Sequence, residues 1–246
     1  MLSNFQWILA SGILMSAIAM VGSVTLFLPP ARLRQVLLPL VALSAGTLLG
    51  GALFHLLPAS IEHFGNGLRP FLWVVAGFAL FFALEQFLNW HHCHETEYAH
   101  RPLTYLVMFA DTVHNFVDGL AVAGAFLIDV RTGIGACLAA AAHEIPQELG
   151  DFAVLIHGGW RPASALLVNG ISALAFLAGG MVAWGSSRYF DVSFLVPFAA
   201  GNFIYIAAAD LIPEVKTQTT LAHSALHFAS FLTGLALLFA MRVYLE

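Results

Sequence analysis

The chain has 246 residues, of which 60% are hydrophobic and only 9% are charged, and its formal net charge is −5. A soluble domain carries about 25% charged residues, so this composition excludes an ordinary soluble protein and indicates an integral membrane protein. No basic cluster suggests a nucleic-acid partner, and Cys93 and Cys137 lie too far apart to form a paired motif.

Apolar segments of about 20 residues or more, enough to cross a hydrocarbon core of about 30 Å, recur along the whole chain. We therefore predict an all-α membrane protein with a single transmembrane domain. Its eight transmembrane helices are expected near residues 5–28, 35–58, 69–90, 103–127, 133–157, 162–186, 192–214 and 221–244. No basic residue precedes the first apolar run, so we interpret that run as a retained span; a cleaved signal peptide is the alternative.

An even number of spans places both termini on the same side of the membrane. If that side is outside, the loops that face inward carry five basic residues, and the outer segments carry four. This small excess favours outside termini under the positive-inside rule.

The predicted loop at residues 91–102, between helices 3 and 4, is rich in histidine. Tracts of this kind collect divalent metal ions, although a polar loop without a metal function would have the same composition. The candidate ligands for metal capture in this loop are His91, His92, His94 and His100.

Acidic residues lie inside the predicted spans, where no Lys or Arg accompanies them. A charged side chain at the centre of a bilayer costs at least about 2.5–3.5 kcal/mol. Protons, protonated histidine or a bound cation must therefore neutralise several of these acids.

The spacing of polar residues in helices 4 and 5 favours a bound cation. Asp111, His114, Asn115 and Asp118 are spaced to share one helix face, and a second polar group follows in helix 5. That second group consists of His143, Glu144, Gln147, Glu148 and Asp151. Imidazole, carboxylate and amide donors without a thiolate suit Zn²⁺, Fe²⁺, Mn²⁺ or Cd²⁺. The alternative is a buried polar network that only joins the helices.

Three more residues near these clusters are candidates for the site. Pro146 should free a backbone carbonyl in helix 5, which a membrane helix tolerates where the carbonyl lines a cavity; an ordinary kink is the alternative. Asn169 and Ser172 share a face of helix 6, where they could complete the site or only form hydrogen bonds between helices.

These segments resemble the zinc/iron-regulated transporter-like (ZIP) family, and in particular its LIV-1-type branch. The strings HNFVDG (114–119) and HEIPQELGD (143–151) resemble the branch's signatures for helices 4 and 5. Residues 44–58, 169–174 and 201–214 resemble its helices 2, 6 and 7. The resemblance covers most of the chain from residue 44 onward.

The resemblance implies uptake of divalent metal, most of all Zn²⁺, toward the cytoplasm by an elevator-like movement. It implies a ZIP-like 3+2+3 arrangement of helices, both termini outside a plasma or inner membrane, and a homodimer. Helices 1, 4, 5 and 6 would carry the metal past helices 2, 3, 7 and 8. Cd²⁺, Fe²⁺ and Mn²⁺ are other candidate substrates, and no catalytic cofactor is expected.

Two neighbouring metal positions follow from the resemblance. His114, Asp118, His143 and Gln147 match one position, whereas Asn115, Glu144 and Asn169 match the other. Asp118 or Gln147 could also lie between the two positions. Further residues are expected around the site or along the pathway, namely Asp111, Glu148, Asp151, Ser172, His55, Asp210 and Glu214.

The chain departs from the family pattern at three positions. Gln147 replaces a usual histidine, and Gly51 and Ala59 replace usual acids in helix 2. Two other functions remain open from sequence. HEIPQ begins like the HExxH motif of zinc hydrolases but has Gln147 in place of the second histidine. A proton-linked transporter that uses the acids as a relay is the other alternative.

Overall fold

Eight helices in chain order make up the structure, a computed structural model that describes residues 3–27, 29–92, 100–157, 159–216 and 220–245. The all-α prediction is confirmed, and these residues contain no strand. Five helices are uniform: α3 (Leu68–His92), α4 (His100–Ile128), α5 (Val130–His157), α6 (Pro162–Ser186) and α8 (Leu221–Leu245). The other three change their helical pitch: α1 (Asn4–Ile18, then 3₁₀ at Ala19–Phe27), α2 (Pro30–Gly50, π at Gly51–Leu56, then Leu57–Phe64) and α7 (Leu195–Tyr205, π at Ile206–Leu211, then Ile212–Val215).

Five of these helices are long and apolar enough to cross a membrane, within α1, α2, α3, α6 and α8. The helices α4 and α5, which carry the acids, are not among them, and α7 contains a shorter apolar helix. Only 17% of the apolar windows of α3 and α8 is buried, against 56% for α2. The helices α3 and α8 are therefore peripheral, whereas α2 packs in the interior.

The second helix is longer than the sequence predicted. It begins at Pro30, a residue that suits the first turn because its missing N–H has no partner there in any case. It ends at Phe64, where Gly65 has φ 79° and donates its N–H to the Ile61 carbonyl. Glycine adopts this left-handed conformation without a steric penalty, so it ends the helix.

The predicted histidine-rich loop is shorter than residues 91–102. His91 and His92 form the last residues of α3, and His100 begins α4. His94 lies outside the described residues. The polar composition of this segment predicted a loop, but both flanking helices extend into it.

Glycines allow three pairs of helices to touch backbone to backbone. In each pair, a Cβ placed on a glycine would lie 1.9–2.2 Å from a carbonyl oxygen of the other helix, and the contact is reciprocal. The contacts are Gly119 with Phe176 and Gly179 with Phe116 between α4 and α6, Gly46 with Phe231 and Gly234 with Leu43 between α2 and α8, and Gly77 with Phe198 and Gly201 with Val74 between α3 and α7. Close backbone approach through small residues is a main source of helix association in membranes.

The helices pack in two groups. The first group contains α2, α3, α7 and α8, and the second contains α1, α4, α5 and α6. Each of the three glycine contacts joins two helices of the same group. Between the groups, the glycines approach side chains instead: Gly51 faces the Ala139 side chain and Gly124 faces Leu195. The closest backbone contacts therefore lie within the groups, whereas the boundary between the groups is formed by side chains.

The helices α2 and α7 share an unusual local feature. Each contains a six-residue π segment that begins seven residues before a proline, Pro58 or Pro213. Proline cannot donate the hydrogen bond that an α-helix requires, so the wider π turn accommodates the missing donor. His55 and Asp210 occupy the same place in the two segments, so the strings HLLP (55–58) and DLIP (210–213) have the same local helical geometry.

Candidate metal centre

Two histidines and an aspartate converge where α4 faces α5, and we call them the imidazole cluster (His114, Asp118 and His143). The two Nε2 atoms lie 3.0 Å apart. Asp118 Oδ2 lies 3.1 Å from His143 Nε2 and 3.7 Å from His114 Nε2. Ligands about 2.0–2.1 Å from a tetrahedral Zn²⁺ are separated by about 3.3 Å. The three atoms therefore have the spacing of ligands that share one ion.

A backbone contact orients His143. Its Nδ1 lies 3.1 Å from the Ala139 carbonyl oxygen, which can only accept a hydrogen bond. Nδ1 therefore carries the proton, and in the neutral ring Nε2 presents its lone pair to the imidazole cluster. A contact from the other ring nitrogen to a carbonyl is the usual way in which a metal-binding histidine is held.

Glu144 adds a buried carboxylate next to the imidazole cluster. Its Oε2 lies 4.0 Å from His143 Nε2, and the residue is only 1% exposed. Neither carboxylate oxygen receives a hydrogen bond among the described residues. A buried acceptor without a donor costs about 1–3 kcal/mol, so this pair of oxygens is arranged for a cation.

A second group, the acidic cluster, consists of Asp111, Glu144 and Glu148. Carboxylate oxygens from all three lie within 4.8 Å of one another. Asn169 Nδ2 donates to Glu148 Oε2 over 2.6 Å, which leaves Glu148 Oε1 without a donor in the described part of the chain. Since Glu144 belongs to both clusters, the two possible cation positions are adjacent and share one carboxylate.

No Lys or Arg lies near these acids along their own helices. Arg131 of α5 precedes Glu144 by 13 residues, which corresponds to about 20 Å of helix. The ion pairs that the structure describes around the clusters are formed by His114 and His143 only. Both histidines are candidate metal ligands, and two divalent ions, one at each position, would balance the four carboxylates of the two clusters.

Two of the amide residues expected as ligands contact Asp111. Asn115 Nδ2 donates to Asp111 Oδ1 over 3.0 Å, and Gln147 Nε2 donates to the same oxygen over 2.9 Å. Ser172 of α6 donates to Asp111 Oδ2. Asp111 therefore links α4, α5 and α6. The resemblance groups Gln147 with the two histidines, and this assignment stays a prediction; in the structure the Gln147 amide nitrogen contacts Asp111.

Asn202 in α7 was not among the predicted site residues. Its Nδ2 donates to Asp118 Oδ1 over 3.2 Å, so a helix of the other group holds one oxygen of an imidazole-cluster residue. The available signal was an asparagine that follows Gly201 in an otherwise apolar helix, where it is fully buried. A polar side chain in a membrane helix usually has a partner on another helix.

The carbonyl that Pro146 frees belongs to Ala142, four residues earlier, and it does not simply line a cavity. Ser44 of α2 places its hydroxyl 2.6 Å from this carbonyl oxygen and 2.8 Å from the Leu40 oxygen. The hydroxyl replaces the missing helix donor. This hydrogen bond crosses the boundary between the two helix groups, close to His143.

A Ser44→Ala variant is therefore expected to be less stable. It leaves a buried carbonyl without a donor, at a cost of about 1–3 kcal/mol, so Tm in detergent should fall by at least about 2 °C. Ser16→Ala is a matched control, because the Ser16 hydroxyl contacts the carbonyl of Gly12 within its own helix. Equal changes in Tm for the two variants would contradict this role of Ser44.

Of the remaining candidates, His55 lies apart from both clusters, Asp151 borders the acidic cluster, and two others lack described side chains. His55 packs against Gly135 and places Nε2 2.9 Å from the Leu238 carbonyl oxygen, about 12 Å along α5 from His143. Asp151 follows Glu148 by three residues and is partly buried. Asp210 and Glu214 lie in the π segment and last helical turn of α7, but their side chains are outside the described set.

Two of the departures from the family pattern, Gly51 and Ala59, lie in α2. A side chain at Gly51 would lie 2.7 Å from the Ala139 Cβ of α5, so this position holds no acid without a shift of the helices. Ala59 lies beyond the π segment, in a cleft with Glu62, Asp129 and Arg131. In this chain, α2 therefore contributes close packing at Gly51 rather than a carboxylate.

Comparison with known proteins relates most of this chain to metal transporters. A family model described as "ZIP Zinc transporter" matches residues 6–104 and 91–242. Zinc transporter ZIP13 of Mus musculus is 30% identical over 261 residues, which cover 87% of this chain and 71% of the mouse protein. Zinc transporter zipt-7.2 of Caenorhabditis elegans is 34% identical over 146 residues, or 57% of this chain and 32% of that protein. IAA-alanine resistance protein 1 of Arabidopsis thaliana is 40% identical over 147 residues, or 58% of this chain and 31% of that protein. The chain thus spans about a third of the length of these worm and plant relatives.

Proposed function

The chain belongs to the ZIP zinc transporter family, and from this premise we propose that it carries Zn²⁺ across a membrane through the imidazole and acidic clusters. The observation that supports this most strongly is the convergence of two imidazole nitrogens and a buried carboxylate beside Glu144, whose oxygens have no described donor. These groups lie in the middle of α4 and α5, far from either helix end. A cation there would offset the cost of burying several acids.

The donor set favours transport over permanent binding. Structural zinc sites are closed four-ligand sites, commonly rich in thiolate. Here the ligands are two imidazoles, carboxylates and the amides of Asn115, Gln147 and Asn169, and the amides are uncharged. A carrier must release its substrate, and neutral oxygen ligands permit release. Cd²⁺, Fe²⁺ and Mn²⁺ fit the same donors and are secondary substrates in this proposal.

The packing supports an elevator-like movement. Backbone contacts at glycines join α4 to α6 in one group, and α2 to α8 and α3 to α7 in the other. Both clusters lie on the group of α1, α4, α5 and α6, apart from the contact that Asn202 makes with Asp118. Movement of this group as a unit would carry the metal and its ligands together and would break the contacts of Asn202 and Ser44.

The direction and the assembly follow from the family. We propose uptake toward the cytoplasm, both termini outside a plasma or inner membrane, and a homodimer. The histidine-rich tract around His92 and His100 would then face the cytoplasm and receive the metal that is released. The hydrolase alternative has no support in the site, because Gln147 replaces the second histidine of HExxH and its amide nitrogen contacts Asp111.

Flux measurement tests the proposal directly. The purified full chain is placed in liposomes that contain a zinc-sensitive dye, with protein-free liposomes as the control. We expect Zn²⁺ and Cd²⁺ to enter faster than in the control and Mg²⁺ to enter at the control rate, because the imidazole ligands disfavour Mg²⁺. Equal Zn²⁺ entry with and without protein would contradict metal transport, and proton movement without metal movement would favour the proton-linked alternative.

A further inference from the structure

We propose that Asp111 is a positioning residue, which holds the amide nitrogens of Asn115 and Gln147 so that both amide oxygens face the metal. This inference rests on the proposed function, since it concerns how the same site presents its ligands. Asp111 belongs to the acidic cluster, but both of its oxygens already accept hydrogen bonds from Asn115, Gln147 and Ser172. In this inference Asp111 therefore acts through Asn115 and Gln147, and the oxygen ligands are theirs.

The geometry supports this role because one oxygen of Asp111 receives both amides. Asn115 Nδ2 and Gln147 Nε2 lie 3.0 and 2.9 Å from Asp111 Oδ1. Asn115 Nδ2 also lies 3.2 Å from the Asp111 backbone oxygen. Asp111 is only 3% exposed, so water does not compete freely for these contacts. A carboxylate is an acceptor only, so each amide must turn its nitrogen toward it.

Fixing the nitrogen of an amide also fixes its oxygen. The two atoms are attached to the same planar carbon and point in different directions. Asn115 Oδ1 is buried and receives no hydrogen bond among the described residues. Metal ions bind the amide oxygen, whereas the amide nitrogen is a donor without an available lone pair. The contact with Asp111 therefore selects the one orientation in which the amides serve as ligands.

The acids nearby make this selection necessary. Glu144 has two buried oxygens without a described donor, and they belong to the site that both amides border. A freely rotating amide would turn its N–H toward such a carboxylate and occupy a ligand with a hydrogen bond. Asp111 opposes this reversal by accepting an N–H from each amide.

Gln147 explains why the orientation matters in this chain. The family resemblance expects histidine at this position, and an imidazole presents a nitrogen lone pair without any choice between oxygen and nitrogen. A glutamine amide, in contrast, can turn either its oxygen or its nitrogen toward the metal. The dependence of metal binding on Asp111 should therefore be largest with Gln147 and smaller when histidine is restored.

A double-mutant cycle with Asp111→Ala and Gln147→His tests this coupling in the full chain. Zn²⁺ affinity is measured by titration calorimetry in detergent, and Tm without metal checks the fold. With Gln147 present, Asp111→Ala removes the acceptor of both amides and should weaken Zn²⁺ binding by about 10–100-fold, the usual cost of losing a group that orients a ligand. In the Gln147→His background, the loss should be at least about three times smaller, because only Asn115 still depends on Asp111.

Ser11→Ala is the matched control. It removes a buried hydroxyl of α1 that contacts the Ile8 carbonyl of its own helix, so Zn²⁺ affinity should change by less than about 2-fold. If Asp111→Ala does not fold, Asp111→Glu moves the carboxylate by one methylene and enters the same cycle. An equal loss of affinity in the unchanged background and in the Gln147→His background would overturn the proposal, since a direct ligand or a purely structural residue predicts equality. Failure of the unchanged protein to bind Zn²⁺ would instead contradict the proposed function.

Discussion

An Asp118→Ala protein is expected to bind Zn²⁺ at least about 100-fold more weakly than the unchanged chain and to carry no measurable Zn²⁺ into liposomes. Asp118 Oδ2 lies 3.1 and 3.7 Å from the two imidazole nitrogens, so the substitution removes one of three converging candidate ligands and a negative charge. The loss should exceed the roughly 10–100-fold that outer groups around a metal site contribute. Dye-loaded liposomes and titration calorimetry measure the two quantities.

Two further variants separate a ligand role from a general effect of losing an acid. Asp118→Asn keeps the shape and one oxygen, so its affinity should lie between those of the alanine variant and the unchanged chain. Asp191 is exposed in the segment before α7 and accepts hydrogen bonds from Ser193, which hold the pKa of its carboxyl below the usual value. Asp191→Ala should leave flux unchanged. Full flux in a folded Asp118→Ala protein would exclude Asp118 as a ligand.

The second large effect is expected from Gly201→Ala. A Cβ at this position would lie 1.9 Å from the Val74 carbonyl oxygen of α3. A backbone atom cannot rotate away as a side chain can, so α3 and α7 must separate. Overpacking usually costs about 1–3 kcal/mol, and this substitution should cost at least about 3 kcal/mol. Thermal unfolding in detergent should show a clear fall in Tm and reduced yield of folded protein.

Gly185→Ala provides the matched control for this loss. A Cβ at Gly185 of α6 would meet nothing within 4 Å. The same substitution there should be neutral or slightly stabilising, because alanine favours a helix by roughly 0.5–1 kcal/mol over glycine. If both variants unfold at the same temperature as the unchanged chain, the backbone contact between α3 and α7 does not contribute to stability.

The helices and the helix pair that forms the site could be predicted from local features of the sequence. Apolar length predicts five of the helices as membrane spans, and the period of an α-helix places His114 and Asp118 on one face of α4. Acids without basic partners then identify α4 and α5 as the site of a cation. Each of these arguments uses residues that are close in sequence, so none requires knowledge of how the helices pack.

The partners of those residues could not be predicted in the same way. Asn202 contacts Asp118 across 84 positions, and Ser44 contacts Ala142 across 98 positions. The orientation of the Gln147 amide depends on Asp111, which lies on another helix. Spacing shows that these residues are polar and share helix faces. Which carboxylate receives which donor depends on the rotation of each helix about its own axis, which tertiary packing determines.

The 3₁₀ segment at Ala19–Phe27 gives α1 a way to change its length. Only residues 28 and 29 separate Phe27 from Pro30, so the first link between the two helix groups has almost no slack. A 3₁₀ helix rises about 2.0 Å per residue and an α-helix about 1.5 Å. Return of these nine residues to α-helical pitch would shorten α1 by about 4–5 Å. A helix that can shorten and lengthen in this way would let one group move along the membrane normal while α1 stays connected to α2.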